Sequence, residues 1–125
     1  MFEGYISFFG TKDLKANENF YKNLLGLKLY KDQKVCKIYE ICDGSYIGFC
    51  EHMEITHSEK GPMLTFLTDK VDDHFKNLKE KNVEIVQEPK LNEKFQIYHF
   101  FLKDPDGYTV EIQKFINPKV KKTFI

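Results

Sequence analysis

The stretch Asp106–Ile112, DGYTVEI, decides the fold of this chain, because Asp43–Phe49, DGSYIGF, shows the same pattern earlier in the sequence. Each copy begins with an Asp-Gly turn signal and continues into aromatic and β-branched residues that predict a strand. The repeat extends upstream, where Asp13 and Gly26 are 13 positions apart, as are Asp69 and Asn82. Duplication of one structural unit is the simplest explanation of this pattern.

Each copy predicts one helix among four strands. In the first copy, Asp13 is the expected N-cap of a helix of about three turns and Gly26 is its left-handed terminator. The strands predicted around this helix are Tyr5–Thr11, Leu27–Lys31, Val35–Cys42 and Ser45–Glu51. In the second copy, Asp69 is expected to cap the helix and Asn82 to end it. The strands predicted there are Met63–Thr68, Val83–Gln87, Ile97–Lys103 and Tyr108–Phe115, with a polar loop at Glu88–Gln96.

The order βαβββ therefore occurs twice, and the sequence predicts an α+β fold in a single domain of 125 residues. The first module is expected at about residues 4–51 and the second at about residues 62–116. A connector at 52–61 joins them, and a C-terminal tail at 117–125, basic over 117–122, is expected to run over the surface.

Composition argues against several classes of partner. The formal net charge of zero supplies no field that attracts a nucleic-acid backbone. No apolar run approaches the roughly 18 residues of a membrane span, and the start of the chain, with the acid Glu3 and no basic cluster, does not resemble a secretion signal. Three cysteines without a CxxC spacing favour reduced thiols in the cytoplasm over a disulfide framework. We expect Cys36, Cys42 and Cys50 to act as small buried hydrophobic residues.

Two stretches of the chain resemble signature sequences of a known superfamily. FFGTKDLKANENFYKNLLGLKLY (Phe8–Tyr30) and FFLKDPDGYTVEIQ (Phe100–Gln113) are similar to those of the vicinal oxygen chelate superfamily. This superfamily contains glyoxalase I, extradiol dioxygenases, fosfomycin-resistance enzymes and bleomycin-binding proteins. The resemblance implies two βαβββ modules whose strands curl into an open, cup-shaped barrel of mixed β-sheet, assembled as a homodimer.

The resemblance also implies four positions for metal ligands, on the first and last strands of each module. These positions fall on Ile6 and Gly48 in the first module and on Met63, or Pro62 in a register shifted by one, and Glu111 in the second. Only Glu111 is a ligand of the kind the superfamily uses, because the other residues offer a divalent ion no oxygen or nitrogen side-chain donor. We therefore expect no metal ion or other cofactor.

Glu111 and His99 are the candidate chemical groups. Alternation along two neighbouring strands assigns seven residues to the concave face, namely Thr109, Glu111 and Gln113 of the last strand and Ile97, His99, Phe101 and Lys103 of the strand before it. His99 and Glu111 are then neighbours that could move a proton or bind a ligand. The alternative is that Glu111 is a remnant acid, neutralised by His99, Lys103 or water, that contributes only to folding.

Two further sets of residues are open to competing interpretations. His52 and His57 lie in the connector, and we interpret them as exposed loop histidines rather than metal ligands. An aromatic set is expected to divide evenly between the core on the helix side of the strands and the concave face. This set comprises Tyr39, Tyr46, Phe49 and Phe101.

The sequence favours a cytoplasmic protein that binds a small, partly aromatic molecule, possibly an antibiotic, in its concave groove without an intact metal site. The expected ligand-contacting residues are Glu111, His99, Phe101, Thr109, Gln113, Gly48, Met63, Ile6 and Phe8. The alternative is a lyase, isomerase or dioxygenase that uses Glu111 and a divalent metal ion, with other ligands from elsewhere or from a partner chain. A third possibility is a structural module that docks another protein through its sheet.

Overall fold

The computed structural model describes residues 1–116. The chain divides into two compact units, Met1–Glu59 and a second unit that begins at Lys60. Within residues 1–116, no helix has both the length and the apolar character that crossing a bilayer requires. The tail predicted at 117–125 lies outside the described residues.

The first unit is a four-stranded mixed sheet with one helical segment. Its strands are β1 (Tyr5–Gly10), β2 (Lys28–Asp32), β3 (Cys36–Cys42) and β4 (Ser45–Cys50). The spatial order is β1-β4-β3-β2, with β1 parallel to β4 and the other pairs antiparallel. Gly44 turns the β3–β4 hairpin with a φ of 81°, a value that glycine adopts without steric cost.

The helical segment of the first unit begins as predicted and then changes its winding. Asp13 is the N-cap of α1 (Leu14–Glu18), and its carboxylate accepts hydrogen bonds from the backbone N–H groups of Lys15 and Ala16. The chain then continues as a π-helix over Asn19–Leu24. The predicted terminator Gly26 has a φ of 85°. The apolar spacing predicted the helix but carried no signal for the wider i to i−5 turn.

The second unit repeats this architecture. Its strands are β5 (Leu64–Leu67), β6 (Ile85–Asn92), β7 (Ile97–Lys103) and β8 (Thr109–Phe115), in the spatial order β5-β8-β7-β6. Strand β5 is parallel to β8, and the remaining pairs are antiparallel. The helix α2 (Val71–Glu80) lies between β5 and β6 in the sequence. The prediction of an α+β fold with two βαβββ modules is confirmed.

Two predictions about the second unit were wrong in detail. Asp69 does not cap α2, because the N-cap position falls on Lys70 and no side chain makes a capping hydrogen bond there. The segment Glu88–Gln96 is not wholly a loop, because β6 continues through Pro89 to Asn92. Register shifts between Ile85 and Lys90 allow the proline in this edge strand, since a bulge needs no donor at that point.

Each unit has its own core on the helix side of its sheet. In the first unit, the buried ring of Tyr21 stacks on Phe49 with ring centroids 4.4 Å apart, and Tyr39 lies 6.3 Å from Tyr21. In the second unit, Phe75 of α2 contacts the fully buried Phe100 of β7 at 5.4 Å. These contacts identify the opposite face of each sheet as the one that carries the candidate residues.

The cysteines correct another prediction. Cys36 and Cys50 are directly opposite each other in β3 and β4, with Cα atoms 4.1 Å apart, and they form a disulfide. Cys42 is a free thiol and is exposed, so it is not a buried hydrophobic residue. The count and spacing of cysteines did not reveal the pair, because residues 14 positions apart become neighbours only through the register of the hairpin.

Candidate functional site

A cavity of about 920 Å³ lies in the second unit, on the face of the sheet that is opposite α2. Side chains at alternate positions of β7 and β8 form its floor. The intervening residues Tyr98 and Phe100 of β7 point to the other face of the sheet, where they contact α2. Its apolar wall consists of Met63, Phe95, Ile97, Phe101 and Phe115. Its central polar residues are Gln87, His99, Glu111 and Gln113, and the remainder of the wall comes from Lys90, Leu91, Asn92 and Glu93.

The His99–Glu111 pair lies within this cavity, as alternation predicted. His99 Nδ1 is 2.6 Å from Glu111 Oε2, and both side chains are more than nine-tenths buried. The other carboxylate oxygen, Oε1, accepts a hydrogen bond of 2.7 Å from the hydroxyl of Thr65 on β5. Two strands therefore fix Glu111 from opposite sides. The prediction that His99 and Glu111 are neighbours is confirmed, whereas Thr65 was not predicted.

The second ring nitrogen of His99 is the one available for chemistry. Within the described residues, His99 Nε2 has no hydrogen-bond partner, and the ring lines the cavity. Because Nδ1 is engaged by a carboxylate, the tautomer and orientation of the ring are constrained and Nε2 is left to accept or donate a proton. The ring of Phe101 packs edge-on against His99 with centroids 4.9 Å apart, which further restricts rotation of the imidazole.

Gln87 adds a buried polar group that the sequence did not reveal. The residue lines the cavity, and its amide nitrogen Nε2 is buried and has no hydrogen-bond partner within residues 1–116. A buried donor without an acceptor costs about 1–3 kcal/mol, and an acceptor from water or from a bound molecule would remove that cost. The prediction of a loop at Glu88–Gln96 gave no indication of the wall that β6 forms. Strand alternation, which assigned Ile97 to this face, could also have assigned Phe115 to it.

Not all predicted site residues meet in the cavity. Glu111, His99, Phe101, Gln113 and Met63 line it. Thr109 does not, and its hydroxyl instead accepts a hydrogen bond of 2.8 Å from the Lys103 ammonium group. The remaining three predicted residues, Ile6, Phe8 and Gly48, belong to the first unit.

In the first unit, the aromatic ring of Phe8 lies over the position that is equivalent to Glu111 in the second unit. Phe8 is paired with Gly48 in the β1–β4 register, and Thr65 is paired with Glu111 in the equivalent β5–β8 register. The Phe8 ring lies directly over the Gly48 backbone. Ile6 and Met63 both lie two residues before these partners, which makes them structural equivalents in the two repeats. The aromatic set divides evenly between the two faces as predicted, because Tyr39 and Phe49 lie in the core while Tyr46 and Phe101 alternate with core residues along β4 and β7.

The two connector histidines are exposed, as predicted. His52 nevertheless lies beside the disulfide, with its Nδ1 3.9 Å from Cys36 Sγ. Among residues 1–116, the one group of three or more histidine, cysteine or acidic residues close enough to share a metal ion is Cys36, Cys50 and His52. The sequence did not reveal this group because the three residues come together only through the register of β3 and β4.

The sequence of residues 5–112 matches the Glyoxalase/Bleomycin resistance protein/Dioxygenase superfamily. The chain belongs to this superfamily. A comparison with curated proteins finds no match. Membership confirms the resemblance drawn from the two signature stretches and agrees with the duplicated βαβββ order of the glyoxalase superfamily.

Several solved structures share this fold at low sequence identity. A glyoxalase/bleomycin resistance protein/dioxygenase from Alicyclobacillus acidocaldarius has a TM-score of 0.78 and 17% identity, and the match covers 93% of each chain. A glyoxalase/dioxygenase from Nostoc punctiforme has a TM-score of 0.73 and 18% identity, covering 87% of this chain and 88% of its own. A virulence protein from Salmonella typhimurium has a TM-score of 0.68 and 20% identity, covering 90% and 94%.

The metal positions that membership of the glyoxalase superfamily implies do not fit a divalent ion in this chain. Ile6, Met63 and Gly48 carry no oxygen or nitrogen side-chain donor. At the fourth position, both oxygens of Glu111 already accept or share hydrogen bonds, with Thr65 and with His99. We therefore derive no chemical step through such a metal.

Proposed function

We propose that this member of the glyoxalase superfamily binds a small, partly aromatic molecule in the cavity of its second unit, without metal chemistry. The observation that carries the proposal is the unpaired, buried amide of Gln87 in an aromatic-walled cavity whose floor is the His99–Glu111 pair. The cavity volume of about 920 Å³ lies within the range of small-molecule sites, about 300–1,000 Å³.

The aromatic wall favours a ligand with a flat apolar part. Phe101 is half-buried and Phe95 is 63% exposed, so both rings retain surface that a ligand could cover. Burial of apolar surface contributes roughly 25 cal/mol per Å², and a well-placed ring pair adds about 0.5–1.5 kcal/mol. An aromatic ligand therefore gains more from this cavity than a polar one of the same size.

The floor favours a ligand that also carries a hydrogen-bond acceptor. Gln87 Nε2 needs an acceptor, and the position of Gln113, 8% exposed at the cavity wall, allows it to contribute a second amide. His99 Nε2 can donate when the imidazole is protonated and accept when it is not. We therefore propose a ligand that pairs an aromatic face with a carbonyl, carboxylate or sulfonate group. An antibiotic is within this class, as the bleomycin resistance branch of the superfamily name suggests.

Binding of 8-anilinonaphthalene-1-sulfonate tests the proposal, because this probe joins a naphthalene ring to an acceptor group. The chain has no Trp, so fluorescence of the bound probe is read without Trp emission. Phe101→Ala is expected to weaken binding about 10-fold, equivalent to about 1.4 kcal/mol. Gln87→Leu is expected to weaken it several-fold, because the amide loses its hydrogen bond to the sulfonate.

Tyr30→Ala is the matched control, since Tyr30 is an aromatic residue of the first unit that is 54% exposed. It should leave the affinity unchanged. Equal affinity for the probe in the wild type, Phe101→Ala and Gln87→Leu would overturn the assignment of this cavity. Calorimetric titration of bleomycin against the same proteins tests the antibiotic class separately.

A second candidate, an enzyme of the lyase, isomerase or dioxygenase type, is favoured by one observation. His99 lines the cavity while a carboxylate orients its ring through Nδ1, which is an arrangement suited to general base catalysis. Elemental analysis of protein purified without chelator distinguishes the two. A stoichiometric metal ion that is present in wild type and absent from Glu111→Gln would replace the binding proposal with the enzyme.

We also propose that two copies of the chain associate. Strand β1 is an edge of its sheet, and three of its apolar side chains, Tyr5, Ile6 and Phe8, are 70%, 38% and 43% exposed. Exposed apolar side chains on an edge strand are typical of an interaction surface. Light scattering should give the mass of a dimer, and Tyr5→Lys should reduce it to the 14.9 kDa of one chain.

A further inference from the structure

We propose that Cys36, Cys50 and His52, once the disulfide is reduced, form a site in the first unit for one thiophilic divalent cation such as Zn²⁺. The disulfide and the metal-bound dithiolate are then two mutually exclusive states of the same residues. This site is separate from the cavity of the second unit and shares no residue with it.

The donor atoms are already close together. One ligand atom from each of the three residues lies within 4.8 Å of the other two. Zn²⁺ binds sulfur at about 2.3 Å and imidazole nitrogen at about 2.0–2.1 Å, so the donors of a tetrahedral site are about 3.3–3.8 Å apart. Opening the disulfide to about 3.8 Å and bringing the His52 ring, whose Nδ1 is 3.9 Å from Cys36 Sγ, nearer to both sulfur atoms therefore meets the requirement. Two thiolates and one imidazole leave the fourth position for water.

The backbone around the three residues is held by hydrogen bonds that do not need the disulfide. The Cys50 carbonyl accepts from Thr11 N at 3.1 Å and from Met53 N at 3.4 Å, which fixes the turn that carries His52. Gln33 N donates to the Cys36 carbonyl at 2.8 Å, and Glu51 N donates to the Val35 carbonyl at 2.9 Å. The ladder between β3 and β4 continues between these points. Reduction therefore removes one covalent bond and leaves the donors in place.

The exposure of the three residues also suits a metal site. Cys36 and Cys50 are 6% and 2% exposed, while His52 is exposed. An ion can enter from the side of His52 and then lie against sulfur atoms that are shielded from bulk solvent. Thiolate and imidazole donors select Zn²⁺, Co²⁺ or Cu⁺ over Mg²⁺ and Ca²⁺, which prefer oxygen.

The chemistry balances in two steps. A dithiol reductant transfers two electrons and two protons to the Cys36–Cys50 disulfide, which gives two thiols and the cyclic disulfide of the reductant. Binding of M²⁺ then displaces the two thiol protons, which pass to the buffer. No electron is transferred in the second step, so the metal retains its charge.

Co²⁺ titration of the full chain tests the site. The protein is reduced with dithiothreitol, freed of it by anaerobic desalting, and titrated while its absorption spectrum is recorded. We expect one equivalent of Co²⁺ to produce thiolate-to-cobalt charge-transfer absorption, and Zn²⁺ to abolish that absorption by displacement. The oxidised protein should show none. His52→Ala should weaken Co²⁺ binding at least about 10-fold, and because His52 is exposed this variant keeps the fold.

Three variants serve as matched controls. Cys42→Ser removes the exposed thiol, His57→Ala removes the other connector histidine, and Glu111→Gln alters the second unit. All three should bind Co²⁺ as the wild type does. Cys50→Ser should lose the charge-transfer absorption, with circular dichroism reporting that the chain is folded. The proposal is overturned if the reduced wild type shows no charge transfer, or if the signal survives His52→Ala at full affinity or disappears in Cys42→Ser.

Discussion

Phe8 and Gly48 are direct partners across β1 and β4, and the ring of Phe8 fills the space that a side chain at position 48 would need. A Cβ atom on Gly48 would lie 2.5 Å from Cε1 and 2.6 Å from Cδ1 of that ring. No methyl group fits at these distances unless the ring moves. The constraint on position 48 therefore comes from packing against the Phe8 ring rather than from backbone conformation.

This contact predicts a coupling between the two positions. Gly48→Ala should destabilise the protein by up to about 1 kcal/mol, because the methyl group displaces the Phe8 ring, which is 43% exposed and forms the end of a flexible side chain. In a Phe8→Ala background the same change should cost much less, since the obstructing ring is gone. Urea unfolding of the four proteins of this double-mutant cycle gives the coupling energy. Equal costs of Gly48→Ala in both backgrounds would contradict the packing argument.

Two tyrosines predict opposite outcomes for the same chemical change. Tyr39 is fully buried, and its hydroxyl has no hydrogen-bond partner within residues 1–116. The hydroxyl of Tyr98 donates to Asp72 Oδ1 at 2.6 Å. Tyr39→Phe should leave stability unchanged or raise it by up to about 1 kcal/mol, whereas Tyr98→Phe should lower it by about 0.5–1.5 kcal/mol. Thermal or urea unfolding ranks the stability of the two variants. A larger loss of stability for Tyr39→Phe would refute the assignment of the Tyr39 hydroxyl as the unpaired one.

The buried His99–Glu111 pair predicts that Glu111 contributes to stability as well as to the site. Glu111→Gln should destabilise the protein by about 1–3 kcal/mol. The neutral amide has a single, weaker acceptor oxygen, whereas the carboxylate offers one oxygen to His99 and the other to Thr65. Glu84→Gln is the matched control, since Glu84 is exposed, and it should change stability by less than about 0.5 kcal/mol. Similar values for the two variants from urea unfolding would show that the pair adds nothing to folding.

The pair between Glu18 of α1 and Lys37 of β3 predicts a pH dependence. The hydrogen bond from Lys37 lowers the pKa of Glu18, and the hydrogen bond to Glu18 raises the pKa of Lys37. The lowered Glu18 pKa stabilises the fold above the ordinary pKa of a glutamate, and this stabilisation is lost as pH falls through the lowered value. The raised Lys37 pKa stabilises it below the ordinary pKa of a lysine, and that stabilisation is lost as pH rises through the raised value.

Lys37→Met should therefore cost about 1 kcal/mol at neutral pH and progressively less as the solution becomes acidic. Unfolding experiments across this acid range measure the difference between the variant and the wild type. Lys79→Met is the control, because Lys79 pairs with Glu88 while both side chains are more than half exposed. Its cost should be small at every pH. If the cost of Lys37→Met did not change with pH, the Glu18–Lys37 pair would not be a source of the pH dependence of stability.

Strand periodicity predicted the part of the site that lies on β7 and β8. Residues that alternate on a strand share a face whatever the rest of the chain does, so His99, Phe101, Glu111 and Gln113 could be assigned together. The Asp-Gly turns similarly fixed the hairpins, because Gly44 and Gly107 both have positive φ values. Local rules of this kind need only neighbouring residues.

Features that depend on long-range register escaped prediction. The polar stretch Glu88–Gln96 suggested a loop, and only pairing with β7 shows that β6 continues through Pro89 to Asn92 and adds to the cavity wall. The hydrogen bond from Thr65 to Glu111 and the Cys36–Cys50 pair likewise require the alignment of strands that are distant in sequence. The sequence contains each residue, but the contact exists only after the sheet has formed.

The Phe8 ring over Gly48 has a consequence for how such a chain can diversify. The Phe8 ring covers a position that could carry a functional side chain, because Gly48 is equivalent to Glu111 in the second unit. Shortening residue 8 would expose the Gly48 backbone and leave room for a new side chain there, in two mutational steps. The first unit can thus acquire a new pocket while the second unit retains its existing cavity.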